Sequence, residues 1–161
     1  MKHNKSSLEK IDAWNFLQDH PIGTLASINT DGSSDLSAIY FFTKSDFTCY
    51  FVTKVETRKY QNFLKNPKAT LLSFFEEERI SVEVQGNVET VQDVVKVAQI
   101  IEQFQNLVAS RSAEYWIPPI AQISAGEYVV CMLVPTLVHF NDFGKDPVGT
   151  PPQQLTFYPV H

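Results

Sequence analysis

Tyr50-Phe51-Val52-Thr53-Lys54-Val55-Glu56-Thr57-Arg58-Lys59-Tyr60 is the stretch from which the fold is read. An apolar strand runs out into a short polar loop, and the loop opens a helix predicted over Thr57 to Leu64. Arg58 and Lys59 fall in the first turn of that helix, beside the hydroxyl of Thr57. Cations are misplaced there, because a helix N-terminus already carries partial positive charge and unpaired N–H groups. The placement makes sense when an anion fills the gap, held by backbone donors, hydroxyls and two cationic side chains, and a phosphate group fits best. On these residues alone a solvated basic patch at a loop edge is an equal alternative.

The flanking sequence supplies a sheet. Ser6 begins a predicted helix with Glu9 as a capping-box partner, and Pro21 stops it. Ile22 to Ile28 reads as a strand, Asn29-Thr30-Asp31-Gly32 as a hairpin turn, and Asp35 to Thr43 as the return strand. Lys44-Ser45-Asp46 turns the chain into a third strand, Phe47 to Thr53. The helix from Thr57 ends at Asn66-Pro67, before a fourth strand from Ala69 to Phe75. Glu76-Glu77-Glu78 marks an exposed loop. Arg79 to Val91 is a long alternating strand, and Gly86 within it signals a bulge or a close backbone approach. Asp93 to Ser110 is an amphipathic helix with Val94, Val97, Ile101, Phe104 and Val108 on one face. Tyr115-Trp116-Ile117-Pro118-Pro119 is an irregular aromatic segment. Tyr128 to Val134 is a β-branched strand that Val138 to Phe140 extends past Pro135. The expected class is mainly β with α, an antiparallel six-stranded split β-barrel with flanking helices. Closure of such a sheet removes its exposed edges.

The chain of 161 residues is expected to form one domain over 1–141, with 142–161 as a proline-rich C-terminal tail. The net charge of −5 argues against a nucleic-acid footprint while leaving room for a local basic pocket. Cys49 and Cys131 each lie in an apolar run without metal-ligand or redox spacing, so both are expected to be buried thiols. The polar N-terminus has no apolar signal core, and no apolar run reaches the roughly 20 residues of a membrane span. A cytoplasmic protein with no membrane association is the resulting expectation.

The order of these elements resembles the pyridoxamine 5′-phosphate oxidase-like superfamily of FMN-binding split β-barrels. The residues that carry the resemblance are Gly23-Thr24-Leu25-Ala26-Ser27, Asp31-Gly32, Phe51-Val52-Thr53 with Thr57-Arg58-Lys59, Asn66-Pro67, and Val84-Gln85-Gly86-Asn87-Val88-Glu89. The specific likeness covers about Leu17 to Val91, and a looser likeness extends to Phe140. The resemblance implies FMN as cofactor, its phosphate held by Thr53, Thr57, Arg58 and Lys59. It implies that the isoalloxazine lies along Ser37, Ala38, Ile39, Tyr40 and Phe41, with Val52 nearby and Ser81 as a polar contact. It also implies a homodimer with the flavin between subunits. The Arg-Leu-x-Pro-like substrate signature of true pyridoxamine-phosphate oxidases is missing, since no arginine follows Arg111. A second phosphate at the substrate site would lack its usual clamp, which argues against vitamin B6 oxidation.

No glycine-rich dinucleotide fingerprint or P-loop occurs. His139 has two possible uses, as a haem ligand or proton donor, and Trp116 and Phe140 could cover a flavin ring. Structural roles are the commoner use of such residues. Two function classes therefore stand: an FMN-dependent oxidoreductase of unspecified substrate, and a non-enzymatic flavin- or haem-binding protein for storage or sensing. In the first, FMN carries the redox chemistry and no dedicated acid or base is required.

Overall fold

A computed structural model describes residues 2–110, 128–145, 149, 151 and 153–156. The Tyr115–Pro119 segment, with Trp116, lies outside the described residues. Among the described residues the architecture is α+β, a single curled antiparallel sheet with three helices.

Helix α1 (Lys2–Asp19) precedes β1 (Ile22–Ile28). It starts before Ser6 and ends as expected ahead of Pro21. β1 pairs with β2 (Ser34–Tyr40) across the Asn29–Gly32 turn. There Asn29 N–H bonds Ser33 C=O at 2.8 Å, and Gly32 takes the left-handed φ of 84° that glycine accepts without strain. The Asp31 carboxylate accepts from Ser33 N–H at 3.0 Å and from Ser33 Oγ at 2.6 Å, which closes the turn. These bonds hold the Asp31 carboxyl below its ordinary pKa.

The single return strand expected over Asp35–Thr43 is broken. β2 ends at Tyr40, and the two-residue β3 (Phe42–Thr43) belongs to the opposite edge of the sheet. Between them Phe41 turns its N–H to Pro21 C=O at 2.9 Å and buries its ring completely. An unbroken apolar run has no alternation to reveal such a crossing. β3 pairs with β4 (Cys49–Lys54), which leads into α2 (Arg58–Lys65), and β5 (Lys68–Phe75) follows.

β6 (Ile80–Thr90) and β7 (Tyr128–Asp142) form the longest pairing. β7 passes Pro135 unbroken because Gly86 stands opposite it, at the register shift between Gln85 and Gly86. Proline offers no ladder donor, and the bulge removes the need for one. A Cβ on Gly86 would lie 1.9 Å from Val134 O, so the close backbone approach is real and only glycine fits. Helix α3 (Val94–Ala109) sits between these strands in sequence, capped by Asp93, whose carboxylate accepts from Lys96 N–H at 2.9 Å. Ile100 and Phe104 are its buried residues, whereas Val94 is 80% exposed and leaves the expected apolar face.

The strand order is β2-β1-β5-β6-β7-β4-β3, and β8 (Gln153–Thr156) adds to the other part of β7. The count among the described residues is eight rather than the expected six: β3 was hidden in the apolar run, and β8 lies within the proline-rich stretch read as tail. The sheet curls until the β2 edge approaches β4 without pairing to it. This unpaired seam is the split of the barrel. Inside the curl Leu25, Phe41, Phe51, Leu71, Val82, Val84, Leu133 and Val138 are almost fully buried. Cys49 and Cys131 lie in the same core as free, buried thiols, and burial pushes each thiol pKa up to about 12.

Candidate functional site

The seam between β2 and β4 brings three segments together. β4 delivers Thr53 at its end, α2 starts just after Thr57, and α2 packs back on β1 and β2. Asn62 fixes that docking. It is buried, and its Nδ2 donates to Ser27 Oγ and Asn29 Oδ1 at 3.0 Å each. A buried amide with both protons used is a specific latch, because any shift would leave a donor unsatisfied.

Thr57 is the N-cap residue of α2, with φ −71° and ψ 145°, yet its side chain caps nothing. Its hydroxyl donates backward to Lys54 C=O at 2.8 Å, so Thr53 Oγ1 must be the donor in the 3.0 Å contact between the two threonines. Both hydroxyl protons are thereby used within the loop. The first helical bond runs from Gln61 N–H to Thr57 C=O. The N–H groups of Arg58, Lys59 and Tyr60 consequently have no helical acceptor.

The two cations differ. Arg58 is 80% exposed, and its Nη2 lies 2.7 Å from Oδ1 of Asp35, a carboxylate only 8% exposed on β2. Lys59 is half-buried and forms no hydrogen bond or ion pair among the described residues. Burial lowers its pKa below the ordinary lysine value, opposed by the charge of Asp35 and, less, by Cys131. A half-buried ammonium without an acceptor among the described residues, beside helix N–H groups without helical acceptors, is an arrangement that favours an anion.

The structure thus joins Thr53, Thr57, Arg58 and Lys59 into one cluster. Ser37, Ala38, Ile39 and Tyr40 follow Asp35 along the edge strand β2, and Phe41 lies just beyond it. Val52 is on β4, partly buried against the core. Ser81 stands apart, separated from β2 by β1 and β5, and its Oγ accepts from Asn141 Nδ2 at 3.1 Å. His139 lies in the same sheet, with Nδ1 3.7 Å from Glu83 Oε2, and its buried Nε2 has no partner among the described residues. Phe140 is core. Asp35 is the residue that sequence reasoning missed: nothing near Ser34-Asp35 links it to Arg58, and only the pairing of Asp35 with Ser27 beneath α2 does so.

A curled antiparallel barrel, split at a seam with an anion-ready helix start, defines the class. The sequence pattern of the pyridoxamine 5′-phosphate oxidase family matches residues 9–125, and the chain belongs to that family. No curated protein matches it in sequence. Among solved structures, it is similar to general stress protein 26 of Bacillus anthracis, at 19% identity and TM-score 0.67, over 92% of this chain and 98% of that one. A pyridoxamine 5′-phosphate oxidase-related, FMN binding protein of Nostoc punctiforme matches at 15% identity and TM-score 0.62, over 96% of both chains. A heme binding protein of Mycobacterium smegmatis matches at 17% identity and TM-score 0.69, over 92% of this chain and 57% of that one. At these identities the likeness is one of fold. Among the described residues no helix is long and apolar enough to cross a membrane.

Proposed function

We propose that the protein is an FMN-binding flavoprotein acting as an oxidoreductase, with the flavin phosphate at the start of α2. The observation that carries this is Lys59: a half-buried cation without an acceptor among the described residues, next to the uncapped N–H groups of α2. Lys59 and the first-turn N–H groups bind the phosphate. Arg58 adds a second charge from the solvent side. Thr53 and Thr57 turn a hydroxyl proton from the loop toward the phosphate. The backbone of Ser37 to Phe41 orients the ring along the edge of the sheet, on the side of β2 that no described strand pairs. Phe41 and Phe51 at the seam exclude water from beneath it. When bound, the flavin supplies hydride or electron transfer, so the chain itself needs no nucleophile.

The working form is proposed to be a homodimer with the flavin at the subunit boundary. Ile22, Leu36, Leu72 and Phe74 are exposed on the adjacent strands β1, β2 and β5, and Leu36 and Phe74 are 65% and 56% accessible. An apolar patch of that kind is ordinarily covered. Pyridoxamine 5′-phosphate is not the proposed substrate, because no arginine follows Arg111 to hold its phosphate. The test is the absorption spectrum of the purified protein, followed by titration with FMN. Flavin bands or saturable FMN binding support the proposal. A Soret band with no FMN binding would replace it by the haem-binding reading, for which His139, whose Nε2 has no partner among the described residues, is a candidate ligand.

A further inference from the structure

Asp35 is, among the described residues, the buried acidic side chain of the cluster. It stands opposite Ser27 in the β1–β2 ladder, under the start of α2. A buried carboxylate needs a partner, and it takes one from Arg58 at 2.7 Å. That contact draws an otherwise exposed guanidinium back over the seam. The same carboxylate acts electrostatically on Lys59. Two cations therefore share one internal anion at the point where the flavin phosphate is proposed to sit.

We propose that Asp35 is the built-in counter-anion of the phosphate site, a positioning residue that occupies Arg58 when the site is empty and limits affinity for the phosphate when it is filled. The inference rests on the phosphate-site reading above. A dianion entering beside Lys59 meets a net charge of one rather than two, and Arg58 must divide its donors between Asp35 and the phosphate. Like charges held a few ångströms apart at a partly buried site repel appreciably. Asp35 thereby keeps the flavin exchangeable, and its effect falls on the phosphate end alone.

The experiment measures FMN and riboflavin affinities of the flavin-free protein by fluorescence quenching, for the wild type, Asp35→Asn and Asp35→Glu. Asp35→Asn is expected to tighten FMN by about five- to tenfold, as expected for removing a neighbouring like charge, and to slow its dissociation. Riboflavin affinity stays constant, and Asp35→Glu, which keeps the charge, follows the wild type. Asp35→Ser gives the same result by a smaller neutral side chain if the asparagine variant does not fold. FMN affinity unchanged or weakened in the neutral variants, with the wild type still preferring FMN to riboflavin, overturns the inference and leaves the phosphate site standing. A wild type that does not distinguish FMN from riboflavin overturns both.

Discussion

Replacing Lys59 by methionine separates a phosphate site from a surface charge. Lys59 is half-buried and has no partner among the described residues, so its charge is a burden in the flavin-free protein and an asset only with an anion present. A charge-assisted hydrogen bond contributes about 1.5–3 kcal/mol, which converts to roughly a tenfold to 150-fold loss of FMN affinity. Riboflavin, which has no phosphate, should bind Lys59→Met and wild type alike, and Lys59→Arg should retain most of the FMN affinity. The flavin-free Lys59→Met protein should melt no lower than the wild type. pH adds a second signature. Burial lowers the Lys59 pKa in the empty site, and a bound phosphate, by favouring the charged form, raises it again. Binding therefore takes up a proton between those two values, and FMN affinity should fall as pH rises through that window. By the same sign rule, the flavin-free native state holds fewer protons there than the unfolded chain, so its stability should rise with pH. Isothermal titration in buffers of differing ionisation enthalpy reads the proton uptake and the affinity, and denaturation of the flavin-free protein as a function of pH reads the stability. If Lys59→Met binds FMN normally, or loses riboflavin equally, the phosphate reasoning is refuted.

Three further outcomes are expected. Gly86→Ala should destabilise the fold by about 3 kcal/mol or more, since its Cβ would meet the Val134 carbonyl oxygen at 1.9 Å; chemical denaturation checks this. Cys49 and Cys131, with thiol pKa values pushed up to about 12 by burial, should resist a thiol reagent at neutral pH until denaturant is added. Sedimentation should show a dimer, and charges introduced by Leu72→Asp with Phe74→Asp on the exposed face should shift it toward monomer.

Much of the fold was legible because local chemistry and global structure agree. Asn29–Gly32 carries its turn in its residue types, and the Thr53–Tyr60 stretch carries a strand end, a loop and a helix start. Gly86 in a strand signalled a bulge or a close approach; the structure has both, and the same bulge admits Pro135 into β7. What escaped depended on distant partners. The break at Phe41 is set by the Pro21 carbonyl and by barrel closure, which an all-apolar run cannot signal. Val94 matched the helical period but lies at the solvent-exposed start of α3. Of the cluster at the seam, four side chains were legible from one contiguous motif, whereas Asp35 joins it only through the register of β1 with β2. That pairing also shows the two cations to be unequal, which the adjacent letters Arg58-Lys59 conceal.

A crystal structure of the protein grown with FMN decides where the phosphate binds. Phosphate oxygens are expected within hydrogen-bonding distance of Lys59 Nζ and the α2 first-turn N–H groups, with a Thr53 or Thr57 hydroxyl turned from the loop toward them and the ring along Ser37–Phe41. FMN bound elsewhere, or a phosphate that leaves Lys59 uncontacted and the Thr57-to-Lys54 bond of 2.8 Å intact alongside the Thr53–Thr57 contact, would contradict that placement.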